Sequence, residues 1–485
     1  MSTAIKENNS EAIGGNKSEG RFAGKTVLVA GMGKSGIAAM EAFASEGASV
    51  AVYDSKDIEG SDSELFLRIA ELGVTPYFNG DEPAPEGWDY IAKSPGVPPS
   101  LPFIKAALDE GASIISDLDI AYALAPEAAT FIAITGTNGK TTTTTLVGEI
   151  YKSAGAVCSV TGNIGTPAIE SVREARYGTI FVVEASSFQL EDVREFRPKV
   201  AAILNLTEDH MDRHGTMEAY GAAKARIFAA QSADDFIVYN ADDEIVENMV
   251  KSAVSRAFAF SRTRELESGA FLKDGMIVLA DSDAVVKKYK GVASGDVMPL
   301  IAAGELQIPG SHNIENALAA AAIAYCGGIA PKTIAEALRS FKGVEHRMEH
   351  VATIDGVRFV NDSKGTNPDA SMKAIEASDA GILLIAGGYD KKSDFRPFVR
   401  GFGGKVKHLL LMGATAERFR MEAAEEGFTD ATICGGMDEC VRLGFELAEA
   451  GDTVLLSPAS ASWDMYSCFE ERGEHFKKAV KELMI

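Results

Sequence analysis

The chain has 485 residues, 46% of them hydrophobic, and a formal net charge of -23. This length suggests about three domains with ordinary packed cores. The strong negative charge disfavours nucleic acid as a partner, because the phosphate backbone would be repelled.

The N-terminal residues 1–22 are polar and rich in Gly, Ser and Asn, which predicts a flexible tail and no signal peptide. No apolar run of about 18 residues occurs, so we expect no membrane insertion. The five cysteines show no Cys-x-x-Cys spacing, so neither a disulfide framework nor a zinc site is indicated. Reduced thiols in a cytoplasmic protein are the simplest account of them.

The first structured region begins with a predicted strand at residues 25–30 and the glycine pattern Gly31-Met-Gly-Lys-Ser-Gly36. A helix to about Glu46 and a second strand ending at Asp54 complete a βαβ unit with an acid after its second strand. Taken alone, this unit suggests a dinucleotide-binding dehydrogenase. The pattern indicates a nucleotide or its diphosphate and says little about which one.

The most informative segment is Ile134-Thr-Gly-Thr-Asn-Gly-Lys-Thr-Thr142, which follows an apolar strand pattern and precedes a helical one. Gly136 and Gly139 let backbone N–H groups turn inward, Lys140 supplies a cation, and Thr141 offers a hydroxyl to Mg²⁺. The usual phosphate-loop pattern has Gly where this chain has Ile134. The alternative is a Gly-Lys-Thr sequence in some other turn, but the strand-before, helix-after context favours phosphate binding.

Strand and helix patterns alternate from the phosphate loop to about Lys342, with buried strands at residues 179–183 and 200–204. Glu184 ends the first of these strands and is a candidate Mg²⁺ ligand, or simply a surface residue at a strand end. His210 follows the second strand within an acidic cluster, where a role in a site is preferred to a structural one. Lys224 lies in a predicted helix from Met217 to Ala230 and reads, on spacing alone, as an ordinary solvated lysine.

The C-terminal region shows four further strand patterns and a last helix at about residues 468–484. Polar side chains follow three of these strands: Asp362, Lys364 and Thr366 after the first, Lys391 after the second, and Ser462 after the last. Lysines and hydroxyls that converge at strand ends would suit a small dicarboxylate. Helix caps and ordinary loop residues are the simpler alternative.

These patterns predict an α/β protein of three domains: a Rossmann-like N-terminal domain, a P-loop-type central ATPase domain and a Rossmann-like C-terminal domain. The predicted boundaries are 23–118 for the N-terminal domain, 119–343 for the central domain and 344–485 for the C-terminal domain.

The motifs, in their order along the chain, resemble those of the Mur ligase family over about residues 24–485. The family's phosphate loop also lacks the initial Gly, so Ile134 fits it. The other matching segments are Gly162-Asn-Ile-Gly165, Glu184-Ala-Ser-Ser-Phe-Gln189, Asn205-Leu-Thr-Glu-Asp-His-Met-Asp212, His312-Asn-Ile-Glu-Asn316, His346-Arg347, Asn361-Asp-Ser-Lys-Gly-Thr-Asn-Pro368 and Leu456-Ser-Pro-Ala-Ser-Ala-Ser462.

The resemblance implies an ATP-dependent ligase that adds D-glutamate to UDP-N-acetylmuramoyl-L-alanine through an acyl phosphate, in cytoplasmic peptidoglycan precursor synthesis. Asn138 and the last two motifs favour this member over the alanine-adding and diaminopimelate-adding ones. Another Mur ligase, a folylpolyglutamate synthase and a non-catalytic nucleotide-binding module remain alternatives. We expect a monomer whose partners are these small-molecule substrates.

The resemblance also implies the roles of single residues. Lys140, Glu184, His210 and Lys224 would be catalytic, with Thr141, Glu184, His210 and a CO₂-carbamylated Lys224 around two Mg²⁺ ions. This reverses the reading of Lys224 as a solvated lysine. The implied ATP contacts are Gly136, Thr137, Asn138, Gly139, Lys140, Thr141, Thr142, Asn313, Asn316, Arg347, Asp362 and Lys364. The implied contacts to the UDP-linked substrate are Lys34, Ser35, Asp54, Ser55, Gly96, Asn163 and His210, and those to D-glutamate are Thr366, Lys391, Ser462 and Phe469.

Overall fold

The computed structural model describes residues 20–94, 97–281, 297–308, 310–390 and 393–484. They form two compact units. One holds the described residues up to Lys140 together with 155–239 and 243–257, and the other holds 141–154, 240–242 and the described residues from Phe258 onward. No helix within the described ranges is both long enough and apolar enough to cross a bilayer.

The first sheet is fully parallel, with the strand order β3-β2-β1-β4-β5. Its strands and the helices between them are β1 (Thr26–Ala30), α1 (Lys34–Ser45), β2 (Ser49–Tyr53), α2 (Ile58–Ser61), α3 (Ser63–Glu71), β3 (Thr75–Tyr77), β4 (Tyr90–Lys93), α4 (Pro102–Asp109) and β5 (Ser113–Ile114). The order reverses direction at β1, next to β4, which places the loop after β1 at the switch point where ligands bind in such sheets.

The second sheet has nine strands in the order β14-β13-β12-β11-β10-β9-β6-β8-β7. Its elements begin with α5 (Asp117–Leu124), β6 (Thr130–Thr135), α6 (Lys140–Ser153), β7 (Cys158–Gly162), α7 (Ala168–Arg173), β8 (Ile180–Glu184), α8 (Ser187–Leu190), β9 (Val200–Ile203), α9 (Met211–His214), α10 (Met217–Ala225), β10 (Phe236–Asn240) and α11 (Glu244–Val250). They continue with β11 (Arg256–Ser261), β12 (Ser268–Lys273), β13 (Met276–Asp281), β14 (Val297–Ala302), α12 (Ser311–Cys326) and α13 (Pro331–Ser340). Within this sheet, the five neighbouring strands β7, β8, β6, β9 and β10 pair in parallel.

The prediction of uninterrupted strand–helix alternation to about Lys342 is wrong after β11, because β12 follows with no helix between. Strands β12 and β13 form an antiparallel hairpin, and β14 pairs antiparallel with β13. Asp274 and Gly275 connect the hairpin with φ of 49° and 75°, the left-handed conformation that a two-residue Asp-Gly turn adopts. The predicted helix from Met217 to Ala230 also ends early, at Ala225, and tightens into a 3₁₀ turn at Arg226–Phe228.

The third sheet has the order β15-β16-β20-β17-β18-β19 and is parallel except for the β15–β16 edge. Its elements are β15 (Glu349–Ile354), β16 (Val357–Asn361), α14 (Pro368–Ala377), β17 (Ile382–Ala386), α15 (Arg396–Arg400), β18 (Val406–Leu411), α16 (Ala416–Glu425), β19 (Ala431–Ile433), α17 (Met437–Leu447), β20 (Thr453–Leu456) and α18 (Phe469–Glu482). Buried side chains lie on both faces of this sheet, in two separate clusters. The predicted α/β class with three sheet-containing domains is thereby confirmed.

Candidate active site

The phosphate loop runs from the end of β6 to the start of α6, as the sequence predicts. Gly136 and Gly139 have φ of 157° and 82°, and a Cβ on Gly136 would lie 2.9 Å from the Leu204 side chain. Asn205 holds the loop from the neighbouring strand end: its Oδ1 accepts from the Asn138 N–H at 2.8 Å, and its Nδ2 donates to the Asn138 carbonyl at 3.1 Å. The loop is therefore shaped before any phosphate arrives.

Two lysine ammonium groups meet at one carbonyl of this loop. Lys140 Nζ donates to the Gly136 carbonyl at 2.8 Å, and Lys224 Nζ donates to the same oxygen at 2.9 Å. Lys224 is only 1% exposed and lies over the Tyr220 ring, 4.5 Å from its centroid. Burial, and then the nearby charge of Lys140, hold the pKa of Lys224 well below its usual value of 10.5. The position thus favours an uncharged amine or a group of the opposite charge.

Glu184 ends β8 with its carboxylate buried and only partly satisfied. Its Oε1 accepts from Asn163 Nδ2 at 3.3 Å. Within the described residues its Oε2 has no hydrogen-bond partner, and the residue is 3% exposed. A buried carboxylate oxygen without a donor is costly unless a cation or another ligand completes it. Glu184 therefore fits a divalent metal ion.

His210 precedes α9 in the left-handed conformation, with φ of 55°. Its side chain is about half exposed, with Nε2 3.6 Å from Asp209 and its ring against Phe188 at 4.8 Å. An exposed imidazole beside a carboxylate, on a strand-end loop, is available to a metal ion or a substrate.

The switch-point loop of the first sheet carries the residues expected to contact the UDP-linked substrate. Asp54 holds this loop closed, because its Oδ2 accepts from the Met32 N–H at 2.7 Å. Lys34 and Ser35 begin α1 at the loop's far end, and Ser55 follows Asp54. Gly96, also expected here, lies outside the described residues.

Asn313 and Asn316 lie on the first turns of α12, where the sequence motif predicts contacts to ATP. Both are buried, and Asn316 Nδ2 donates to Asn313 Oδ1 at 3.0 Å while Asn316 Oδ1 accepts from Thr143 of helix α6 at 3.3 Å. A cavity of about 420 Å³ opens beside them, lined in part by Thr142, Asn313 and Arg347. The structure therefore brings three of the residues expected to bind ATP to one cavity.

Asp362, Ser462 and Phe469 lie around the carboxyl edge of the third sheet. Asp362 Oδ2 accepts from Ser457 at 2.7 Å, and burial raises the pKa of Asp362 to about 6, against the opposing charge of Arg347. Lys364 lies over the Phe469 ring at 5.2 Å.

Two further residues, Thr366 and Lys391, are expected to bind the amino acid here. The Thr366 N–H donates to the Lys364 carbonyl at 2.9 Å, so Thr366 continues the same loop. Lys391, expected to complete the group, lies outside the described residues.

Three family models match successive parts of the chain: "Mur ligase MurD-like, N-terminal domain" over residues 25–116, "Mur ligase middle domain" over 134–324, and "Mur ligase, glutamate ligase domain" over 346–460. Two relatives named UDP-N-acetylmuramoylalanine--D-glutamate ligase match over nearly their whole lengths. One from Thermoanaerobacter pseudethanolicus is 46% identical over 463 residues, 95% of this chain and 99% of the relative. One from Clostridioides difficile is 44% identical over 461 residues, with the same coverage.

The chain belongs to the Mur ligase family. Among solved structures, the alanine ligase MurC of Thermotoga maritima shares the fold, with a TM-score of 0.56 at 19% identity over 95% of this chain and 99% of that one. Mur ligases depend on ATP with Mg²⁺.

Sequence reasoning missed a cationic residue of this Mur ligase, Arg472, in the C-terminal helix α18. It is the largest fully buried side chain in the described part of the chain. The signal was present, because Arg472, Phe476 and Val480 recur at helical spacing and all three are buried. An arginine within an apolar stripe of a helix points to a buried polar contact.

An ion pair in the first unit was also missed. Lys93 at the end of β4 contacts Asp192 at 2.6 Å, with the two side chains 2% and 19% exposed. The two residues are 99 positions apart in sequence, so no local pattern could have paired them.

His346, Glu345 and Glu474 place three potential metal-ligating atoms within 4.8 Å of one another. Lys477 occupies this cluster: its Nζ contacts Glu345 and lies 2.5 Å from Glu474 and 3.5 Å from Glu349. The ammonium already supplies the positive charge that a metal would bring, so the cluster is an ion-pair network.

Proposed function

We propose that this Mur ligase joins the amine of D-glutamate to the L-alanine carboxylate of UDP-N-acetylmuramoyl-L-alanine, with ATP as the energy source, in peptidoglycan precursor synthesis. The observation that carries the proposal is the near-full-length similarity to relatives of that name at 43–46% identity. The phosphate loop and the polar carboxyl edge of the third sheet support it independently, since the reaction needs both a nucleotide site and a dicarboxylate site.

A carboxylate and an ammonium do not condense in water, so the carboxylate must first be activated. Transfer of the ATP γ-phosphoryl group to the L-alanine carboxylate gives an acyl phosphate and ADP. The D-glutamate amine then attacks the acyl carbon, a tetrahedral intermediate forms, and phosphate leaves as the amide bond is completed. Lys140, at the loop that shapes the phosphate site, offsets negative charge on the transferring group.

Four side chains are proposed to hold Mg²⁺: Thr141, Glu184, His210 and Lys224. When bound, two such ions would neutralise charge on the phosphate oxygens. The unpartnered Oε2 of Glu184 supports this assignment, because it is a buried hard oxygen without a donor. The contact between Asn163 and Glu184 supports a role for Asn163 in binding the UDP-linked substrate close to a proposed metal ligand.

Lys224 is proposed to react with CO₂ before it serves as a ligand. Its neutral amine forms an N–C bond to CO₂ and releases a proton, so a cation becomes a carbamate anion. The structure supports this proposal because a second ammonium, that of Lys140, lies on the same carbonyl and disfavours a charged Lys224. NMR with ¹³C-bicarbonate should show one carbamate signal in the wild type and none in K224R, and its absence from active wild type would contradict the assignment.

The remaining assignments follow the three sheets. We propose a domain of residues 23–118 that binds the UDP moiety through Lys34, Ser35, Asp54, Ser55 and Gly96, an ATP-binding domain of 119–343, and a domain of 344–485 that binds D-glutamate through Thr366, Lys391, Ser462 and Phe469. Asn313, Asn316, Arg347, Asp362 and Lys364 are proposed ATP contacts, and the cavity beside Asn313 and Arg347 supports this.

We further propose that the enzyme acts as a monomer in the cytoplasm. All five cysteines are free thiols, which supports a reducing compartment. Gel filtration with light scattering at micromolar concentration should give a mass near 51.4 kDa, and a stable dimer would contradict the monomer proposal.

Phosphate release from ATP tests the reaction itself. The wild type is incubated with UDP-N-acetylmuramoyl-L-alanine and one of D-glutamate, L-glutamate, L-lysine or meso-diaminopimelate. Release only with D-glutamate is expected. Release with L-lysine or diaminopimelate but not D-glutamate would identify another Mur ligase, and release with a folate acceptor and L-glutamate would identify a folylpolyglutamate synthase.

A further inference from the structure

Arg472 is a buried cation that hydrogen-bonds mainly to backbone carbonyls. It is 0% exposed. Its Nε donates to Ser363 Oγ at 3.0 Å, its Nη2 to the Ser363 carbonyl at 2.8 Å, and its Nη1 to the carbonyls of Ser460 and Ala461 at 3.1 and 3.2 Å. Among the described residues no carboxylate forms an ion pair with it, and Asp362 and Asp464 act on it only through space.

These bonds join the loops that follow two strands of the third sheet, and one of the shared carbonyls links them to a third loop. Ser363 lies after β16, and its hydroxyl also donates to the Phe469 carbonyl at 2.8 Å, which fixes the start of α18. Ser460 and Ala461 lie after β20. The Ala461 carbonyl accepts in addition from the Tyr389 N–H at 2.9 Å, which brings in the loop after β17. One guanidinium group therefore connects the segments proposed to carry the amino-acid site.

The charge of Arg472 is not neutralised by a carboxylate among the described residues. A buried, unpaired cation is costly, and a cation in the first turn of a helix opposes the helix dipole. Burial lowers the pKa of Arg472 to about 10, which still leaves it charged at neutral pH. Uncharged donors could join the same carbonyls without burying a charge, so we infer that the charge itself has a use elsewhere.

We propose that Arg472 is the positioning residue of the amino-acid site. Without contacting substrate, it fixes the three loops in register, and its uncompensated charge attracts the carboxylates of the incoming dicarboxylic amino acid. This inference rests on the proposed function, since it takes the carboxyl edge of the third sheet as the D-glutamate site.

The test compares R472M, R472K and the control R442M, which removes an exposed arginine of α17 that pairs with Glu446. For R472M we expect the KM for D-glutamate to rise at least about tenfold, with the KM values for ATP and the UDP-linked substrate changed less than about threefold. R472K should recover part of the affinity because it restores charge without the planar fork. R442M should match the wild type.

A merely structural role gives a different pattern. R472M would then lose thermal stability and kcat while its KM for D-glutamate stayed within about twofold of the wild type, and that result overturns the proposal. If R472M does not fold, R472K and S363A carry the same comparison: a raised KM for D-glutamate supports the proposal, and an unchanged KM in both overturns it.

Hydrogen exchange separates this inference from the proposed function. Without substrates, R472M or R472K should exchange faster than the wild type in peptides covering residues 361–366 and 457–462. Unchanged exchange in these peptides overturns the proposal that Arg472 holds the loops together. If the wild type does not use D-glutamate at all, the proposed function fails. Faster exchange in the variants would then still establish the connection between the loops.

Discussion

The ion pair between Lys93 and Asp192 allows a quantitative prediction about stability. Lys93 lies at the end of β4 in the first sheet, and Asp192 follows α8 beside the second sheet. Their 2.6 Å contact is almost fully removed from solvent on the lysine side. Breaking such a pair leaves a buried charge without a partner, which costs about 3–5 kcal/mol.

The two single substitutions should be unequal. D192A leaves the buried ammonium of Lys93 without a partner and should lower the free energy of unfolding by about 3–4 kcal/mol. K93M leaves a carboxylate that is 19% exposed and can recruit water, so we expect about 1–2 kcal/mol. The double variant K93M/D192A replaces the pair with apolar groups and should lie within about 1 kcal/mol of the wild type. The coupling energy in the cycle should therefore be about 4–6 kcal/mol, because the two single losses sum to that amount while the double variant loses almost nothing.

Urea unfolding followed by tryptophan fluorescence measures this cycle. The chain has two tryptophans, so a W463F background leaves Trp88 to report on the first unit. E71Q is the matched control, because Glu71 forms an exposed pair with Arg68 at 3.9 Å and should contribute less than about 0.5 kcal/mol. If D192A costs no more than E71Q, or if the two single effects simply add, the pair does not stabilise the fold as argued.

Four further predictions concern single residues. E184Q should abolish most Mg²⁺-dependent ATP turnover while the fold is retained, whereas the exposed E174Q should not; a Mg²⁺ titration of phosphate release decides between a ligand and a structural role. K140A should weaken ATP binding at least about tenfold by calorimetry, because the substitution removes the cation that the loop offers to phosphate; unchanged affinity would refute its role. G36A should prevent binding of the UDP-linked substrate, because a Cβ there would lie 1.9 Å from the Gly31 carbonyl, while G33A, with open space around it, should bind normally. Burial raises the pKa of Asp117 from 3.8 to about 6, so between these pH values the folded state binds a proton that the unfolded state has released. The free energy of unfolding therefore falls as pH rises through this range, and the wild type should lose about 2–3 kcal/mol relative to D117N between pH 4 and pH 7. Parallel pH profiles of stability for the two proteins would refute this prediction.

The fold class could be predicted because its signals are local. Continuous apolar strands, glycine turns after β1 and β6, and polar residues at strand ends all repeat within about 30 residues. The hairpin of β12 and β13 was predictable too, from Asp274 and Gly275, but the expectation of regular alternation overrode that signal.

The site was only partly predictable, because its energetics depend on contacts between distant segments. Lys224 looks like any helix lysine until the fold buries it against the Gly136 carbonyl and beside Lys140. Only the family resemblance gave it a role from sequence. Asn205 is a similar case, because its hydrogen bonds to the N–H and to the carbonyl of Asn138 depend on β9 lying next to β6.

Glu184, Lys224 and Arg472 differ from the other buried polar group discussed above, Lys93. Lys93 is buried but ion-paired, so a contribution to stability alone explains it. Glu184 has a buried oxygen without a donor among the described residues, the amine of Lys224 lies near a second ammonium, and no carboxylate among them neutralises Arg472. Each of these groups is costly to bury. Glu184 ends its strand, Lys224 reaches the loop after β6, and Arg472 bonds to the loops after two strands of the third sheet. Because open α/β sheets bind ligands at the carboxyl ends of their strands, these positions are consistent with the proposed sites for metal, CO₂ and substrate carboxylates. Substitution to Met at Glu184 or Lys224 should therefore preserve or raise the stability of the ligand-free protein while removing a distinct proposed ligand, whereas R472M also removes the bonds that join the loops. A loss of stability at both Glu184 and Lys224 would show that these two groups serve the fold.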